Sequence, residues 1–543
     1  MFNQLTALGE RLNTLELLPP KGYAIQEVTI IVDLDAPQLP PKIVDPIRLP
    51  VPHLERNGAK PALLVDRAEY VLPFFPKDKD KAEKKHQLWI DLIEQFIQQT
   101  GDKEIRLALE YLENLGDWMG EIYQEANNKD RMNLEKWVDF RYKGDRLCES
   151  ATIQQWWQQR WLSAQQTTQG TCLLTGQQDD ICRILPYKNK GIAGTDGAGV
   201  KLTSFDKAAF QSWGWEGCHN APIGLPRAIA LTQAMQWLIL SDNHSFKMGN
   251  LTYFFWSNLG DGLDLNLAED IEEIDPREDR YQGILVNATG DRLKVSDVAD
   301  QDYHLMAVRG MGARVAITSY GTEKADRIIN SIREYQQIHL DVTAHTQHPK
   351  IYALWKIVST CLPPGKGIEV VKAQITREFL DYIFTGKPIS QSVKIRLLER
   401  IAKSGDISQT QAIALKIICK GAAMEQHEIA ERYGRIAFLM HRAEVAVRGT
   451  EDTSASKAFG SLMRSPRTVF PRLYRLLDIH LKSGKSHREE RLLTPLFKGM
   501  PSSSELQKIQ FNLDEQTAFC EGWWKQKAEY FTKKPESGEK SND

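Results

Sequence analysis

The 543-residue sequence has no Cys-x-x-Cys pair, no long apolar run and almost no net charge. Its seven cysteines (Cys148, Cys172, Cys182, Cys218, Cys361, Cys419, Cys520) are too sparse for a disulfide scaffold. A thin, odd set points to reduced thiols and a cytoplasmic location. No stretch reaches the roughly 18 apolar residues of a membrane span. The best, Ala228 to Leu240, is broken by Thr232, Gln233 and Gln236. No basic segment followed by an apolar one precedes a cleavage site, so no signal peptide is expected. Lys+Arg number 69 against 71 Asp+Glu, a formal charge of −2, which taken alone speaks against a basic nucleic-acid binder.

Catalytic motifs are missing too. Gly365-Lys366 lacks the first glycine of a phosphate loop, and Gly367 stands where Ser or Thr would hold magnesium. Gly191 to Gly199 has four glycines but no dinucleotide fingerprint. His427-Glu428 lacks the second histidine of a zincin helix. His441 and Glu444 lack the spacing and cysteine partners of a deaminase. No Gly-x-Ser-x-Gly elbow occurs. Cys172, Cys182 and Cys218-His219 fit no standard zinc unit, so buried thiols are expected there. His339, Asp341, His345 and His348 form the densest ligand-type cluster, but their spacing alone fixes no coordination geometry. No catalytic residue, metal or cofactor is expected.

What is present is an ordinary globular mix, 42% hydrophobic and 26% charged, long enough for several domains. Phe2, Leu5, Leu8, Leu12, Leu15 and Leu18 have the spacing of an amphipathic helix. Glu27–Leu34 and Ala62–Val65 read as strands, with extended or looped chain across Pro37–Pro52. From Lys79 to about Gln165 the pattern is helical. Trp157 and Trp161 lie one turn apart beside Trp156, and a core role is expected. Thr171–Phe210 is Gly-rich loop and strand, Pro226–Leu240 a buried helix and Leu251–Trp256 a strand. Tyr303–Val308 and Ala313–Tyr320 form a hairpin around Arg309–Gly312, followed by a helix over 323–337. Beyond Pro363 nearly everything is helical. The fold class is α+β, a mixed N-terminal body followed by a C-terminal helical bundle. The expected divisions are 1–345, a linker at 346–375, a helical domain at 376–532 and a disordered tail at 533–543.

The small total charge hides segregation. Asp261–Asp279 holds nine acidic residues and one arginine, net −8, and reads as a solvated, mobile connector. Arg432–Lys498 holds fourteen Lys/Arg against six Asp/Glu, net +8. Within it Arg464, Arg467, Arg472 and Arg475 flank Pro466 and Pro471, near an expected helix start. Guanidinium forks and helix N-termini both suit phosphate. A second basic feature is the Gly-rich loop Lys188–Lys201, where backbone amides could form an anion nest among Lys188, Lys190 and Lys201.

Taken in order, several segments resemble the large subunit of the type I-C CRISPR Cascade, the Csd-type CRISPR-associated protein. They begin with Leu18-Pro-Pro-Lys-Gly-Tyr23, Arg56-Asn-Gly-Ala-Lys-Pro-Ala-Leu-Leu-Val-Asp66 and Ala68-Glu-Tyr-Val-Leu72. Cys172-Leu-Leu-Thr-Gly176, Lys190-Gly191, Gly194, Gly197-Ala-Gly199, Leu202-Thr-Ser-Phe205, Phe210 and Asn220-Ala-Pro222 follow. The last are Ile383-Phe-Thr-Gly-Lys-Pro388, Tyr433-Gly-Arg-Ile-Ala-Phe438 and Pro466-Arg-Thr-Val-Phe-Pro-Arg-Leu-Tyr-Arg-Leu476. The resemblance implies a non-enzymatic subunit of a guide-RNA complex, partnered by backbone subunits, double-stranded target DNA and a nuclease-helicase. Such a subunit contacts the protospacer-adjacent motif, while base pairing reads the rest. The C-terminal helices resemble the small subunit of related complexes, and an internal start at Met424 is expected to release them separately.

The chain departs from the family where Arg183–Tyr187 replaces a His-containing approach. It departs again where Thr195 and Asp196 take positions at which Ser is common. The residues expected to approach the motif-bearing duplex are Asn189, Lys190, Thr195 and Lys201, with Asn57 and Lys60 as a second set. Asn220 is expected to cap its own turn. Arg442, Arg448, Arg464, Arg467, Arg472 and Arg475 are expected to hold strand phosphates. The alternatives are a metal-dependent nuclease using the His339–His348 cluster, and a scaffold that binds only protein.

Overall fold

The computed structural model describes residues 1–532 apart from 57, 73–78, 116–135, 206, 265–266, 268, 272–284, 347, 363–367, 420–426, 499 and 501–509. The expected turn at Pro363–Gly367, the start at Met424 and the tail from Lys533 lie outside the described residues. The chain divides into two compact units, one of residues 1–189 with 201–237 and one of residues 190–200 with 238–543.

The first unit opens with helix α1 (Phe2–Thr14), which buries Leu5, Leu8 and Leu12, as the spacing predicts. Strand β1 (Tyr23–Asp33) pairs antiparallel with β2 (Lys42–Pro52), so the Pro-rich segment is extended. On its other edge β1 pairs parallel with β4 (Trp137–Tyr142), which also pairs with the short β3 (Asp66–Arg67) and β5 (Asp145–Arg146). A parallel pair needs a long crossover. Helices α2 (Lys79–Thr100) and α3 (Arg106–Glu113) lie within it, and Trp89 and Phe96 are fully buried in the same core as Phe140.

Two expectations need correction here. Ala62–Val65 is a bend rather than a strand: Leu64 has φ 63°, and the Val65 amide bonds to the Leu63 carbonyl at 2.7 Å. The buried Asp66 carboxylate causes the curl by accepting the Ala62 amide at 2.7 Å and pairing with Arg56. The helical reading of 79–165 is broken by β4, whose Val138 and Phe140 join the core on one face while Asp139 is buried on the other. Beyond it, α4 (Ala151–Ser163) buries Trp157 and Trp161, and the Trp157 indole donates to the Gly22 carbonyl at 2.8 Å. The hairpin β6 (Thr167–Thr171) and β7 (Gln178–Cys182) and helix α5 (Leu225–Leu240) follow.

The second unit is built on an antiparallel sheet, β13-β12-β9-β8: β8 (Ser245–Met248), β9 (Leu251–Ser257), β12 (Asp302–Met311) and β13 (Arg314–Lys324). Every residue of β9 is buried, as suits the mostly apolar run of a central strand. A minor pair, β10 (Gly262–Leu263) and β11 (Leu285–Val286), sits beside it in sequence. Helices α6 (Ala325–Thr343), α7 (Leu354–Thr360), α8 (Glu369–Thr385), α9 (Gln391–Ser404) and α10 (Gln409–Ile418) come next. Then come α11 (Glu428–Arg448), α12 (Phe459–Arg464), α13 (Pro466–Lys482), α14 (His487–Phe497) and α15 (Leu513–Phe531). One apolar cluster runs from Tyr253 on the sheet through Phe379 to Trp523, so sheet and helices share a core. The expected division at 345/346 falls inside that cluster.

The acidic block is not wholly a solvated connector. Asp261 is buried and accepts the Ser257 hydroxyl at 3.1 Å. Asp270 takes the Ala353 amide at 2.9 Å and the Lys356 ammonium at 2.6 Å, which holds its carboxyl below the usual range. Residues 272–284 lie outside the described set.

Candidate nucleic-acid interface

The Gly-rich loop is an ordered appendage of the β12–β13 hairpin. Gly312 donates to the Gly194 carbonyl at 2.9 Å, and Asp196 donates back to Gly312 at 3.0 Å. Ala193 donates to the Thr252 hydroxyl at 3.0 Å. The glycines serve this close approach: a Cβ on Gly310 would lie 2.1 Å from the Ala193 carbonyl oxygen, and one on Gly194 would lie 2.4 Å from Asn250. The amides of Ala193, Thr195, Asp196 and Gly199 are thus spent within the protein, and the anion nest expected there loses four donors.

The four expected loop contacts separate by environment. Lys190 is exposed at the loop's start. Thr195 turns its hydroxyl inward to the Ile192 carbonyl at 2.7 Å. Lys201 is 10% exposed, 2.8 Å from Glu55 and 2.6 Å from the Leu185 carbonyl, and desolvation lowers its pKa. It pins the chain leaving the loop. Asn189 is fully buried, and neither of its side-chain polar atoms has a hydrogen-bond partner among the described residues. Hairpin-tip residues that sequence reasoning passed over, Arg309 and the exposed Arg314, lie on the strands that carry the loop. The Arg309-Gly-Met-Gly312 turn was the available signal.

Lys60 is exposed, its amide bonded to the Tyr70 hydroxyl at 3.3 Å, whereas Asn57 lies outside the described residues. Asn220 donates to the Gly217 carbonyl at 3.2 Å and holds its own turn. That turn displays Trp213 at 85% exposure and Trp215 at 54%. Trp157 and Trp161 are buried and Trp156 is half-buried, whereas Trp213 and Trp215 expose their rings, and burial is what distinguishes the two groups.

The basic block resolves into two environments. Pro466 opens α13, as its fixed φ suits a first helical position. Pro466, Phe470, Leu473 and Leu477 form the buried stripe, spaced four, three and four. Arg467, Arg472 and Arg475 are exposed on the rest of the helix, and Arg464 is exposed just before it. Arg464, Arg472 and Arg475 make no ion pair among the described residues. Arg442 instead bonds Glu451 at 2.9 Å and lies over the Tyr530 and Phe531 rings. Arg448 pairs with the buried Glu444, which also accepts the Ser454 amide at 2.8 Å. These two arginines brace the 449–454 loop.

The His339–His348 cluster does not converge. His339 is fully buried, its Nδ1 accepts the Tyr352 amide at 3.0 Å, and burial pushes its pKa down to about 3. Asp341 accepts from Gln337, and His345 meets the Trp524 ring edge-on at 5.4 Å. Among the described residues no group of three or more His, Cys, Asp or Glu is placed to hold a metal ion. All seven cysteines are free and buried, and Cys182 and Cys218 pack together with Leu185 and Ile223. No described helix is long and apolar enough to cross a membrane.

No curated protein matches the chain. Residues 5–531 match the family described as CRISPR-associated protein (Cas_Csd1), a span that takes in the Gly-rich loop, the hairpin beneath it and the arginine face of α13. The chain belongs to the CRISPR-associated Csd1 family.

Proposed function

We propose that the chain is the non-catalytic large subunit of a type I-C guide-RNA surveillance complex. In this reading it contacts the adjacent motif in duplex DNA, helps open the duplex and receives the nuclease-helicase. The observation that carries it is the arginine face of α13, a row of exposed guanidinium groups opposite a buried stripe. Such a surface suits phosphates that follow one another along a strand, and each neutralised phosphate releases counterions.

Motif contact falls to the loop–hairpin cluster, with Lys190, Arg309 and Arg314 as the approaching cations. Bidentate arginine contacts with base edges are the commonest specific reading device. Thr195 and Lys201 hold the loop's shape. Lys60 is a secondary contact, and Trp213 and Trp215 offer faces on which an unpaired base can stack.

The test is co-purification followed by titration. The chain expressed with its neighbouring subunits should bring down a guide RNA and a repeated backbone protein. That complex should bind a duplex with the correct adjacent motif at least tenfold more tightly than one without it. Lys190→Ala with Arg314→Ala should remove most of that preference. Absence of guide RNA, or an unchanged preference in the double variant, would count against the reading. Metal-dependent DNA cutting by the purified chain, lost in His345→Ala, would replace it with the nuclease.

A further inference from the structure

A cavity of about 490 Å³ opens in the second unit between the end of α6 and helices α10, α11 and α15. Its size lies within the range of small-molecule sites. Leu415 and Trp524 supply apolar wall, and His345 stands against the Trp524 ring. The acidic residues facing it outnumber the basic ones: Asp341, Glu431, Glu521 and Glu529 against Lys416 and Lys525. Two of the acids are already neutralised, Glu431 by Lys525 at 2.9 Å and Glu529 by Arg435. Asp341 takes a hydrogen bond from Gln337 on its own helix. Glu521 remains, with no hydrogen bond or ion pair among the described residues.

We propose that this cavity binds a small organic cation, a protonated amine carried on an apolar or aromatic body. The ammonium would donate to the Glu521 carboxylate while the body lies against Trp524 and Leu415. An amine is favoured over an anion because the uncommitted side chains leave Glu521 and Asp341 facing Lys416 alone. It is favoured over a neutral ligand because an unpaired, half-buried carboxylate gains most from a charged donor. Burial, opposed by Lys416, Lys394 and Lys525 and reinforced by Glu431, pushes the Glu521 pKa up to about 7. Amine binding therefore displaces a proton from Glu521 in the neutral range.

The test is calorimetric titration of the full chain with 2-phenylethylamine, using 2-phenylethanol as the matched neutral probe. One amine should bind per chain, at least tenfold more tightly than the alcohol. Its affinity should rise about tenfold from pH 6 to pH 8, as Glu521 loses its proton. Glu521→Gln should abolish the pH dependence and weaken amine binding at least tenfold. Ala344→Trp, at an exposed position on the rim, should block both probes and leave the fold intact. Equal binding of amine and alcohol, a flat pH profile in the native chain, or undiminished binding in Ala344→Trp would overturn the proposal. None of these readouts depends on nucleic acid.

Discussion

At the scale of single residues, the same side-chain type does opposite work at neighbouring positions. Lys190 and Lys201 flank one loop and are alike in sequence. One is exposed, and the other is drawn inward by Glu55 and the Leu185 carbonyl. Lys201→Met should therefore lower stability by about 1–2 kcal/mol, since it strips a part-buried carboxylate and a carbonyl of their partner. Urea denaturation would measure this. A neutral result would mean that the pair is fully solvated. The tryptophans make the same point. Trp157 and Trp213 each have a polar neighbour in sequence, Gln158 and Ser212, yet one donates into the core and the other is almost wholly exposed. Burial of this kind is decided by long-range contacts that no local pattern encodes.

At the scale of elements, periodicity carried most of the information. Helix α1 was legible because its apolar spacing matches the helical period, and β9 and the β12–β13 hairpin because short apolar and aromatic runs mark strands. Strand β4 was not, because its six residues sit among helices and its parallel partner is about a hundred residues away. Neither was the crossing of α11 and α15. A Cβ on Gly434 would lie 1.9 Å from the Phe519 carbonyl oxygen, and one on Gly522 would lie 1.9 Å from that of Glu431. Gly434→Ala should separate the helices and cost about 3 kcal/mol, read as a lower thermal midpoint. On the arginine face the expectation is reversed. Arg472→Gln with Arg475→Gln should leave the thermal midpoint nearly unchanged. It should flatten the salt dependence of DNA binding in the assembled complex by up to about two phosphates' worth of slope. An unaltered slope would remove α13 from the interface.

At the scale of the whole molecule, buried titratable groups set the acid limit. Burial pushes His339 down to about 3 and His244 to about 4, so between there and the ordinary imidazole range the unfolded chain binds more protons. Their contribution to stability is therefore lost as the pH falls. Glu521, pushed up to about 7, acts with the opposite sign. Together these three groups should remove about 1.4 kcal/mol per pH unit as the pH falls from 6 to 4.5. Denaturation at several pH values would show it, with a shallower slope expected in His244→Asn. The sequence by itself determined the α+β class, the polarised charge and, through ordered short motifs, the family. These depend on composition, local period and residue identity, which the chain carries whether folded or not. Only the tertiary structure decided which cations face solvent, that the loop's glycines serve close packing against a hairpin, and that sheet and C-terminal helices share one core. Those outcomes depend on which distant segments exclude water from one another, and that is a property of the folded chain.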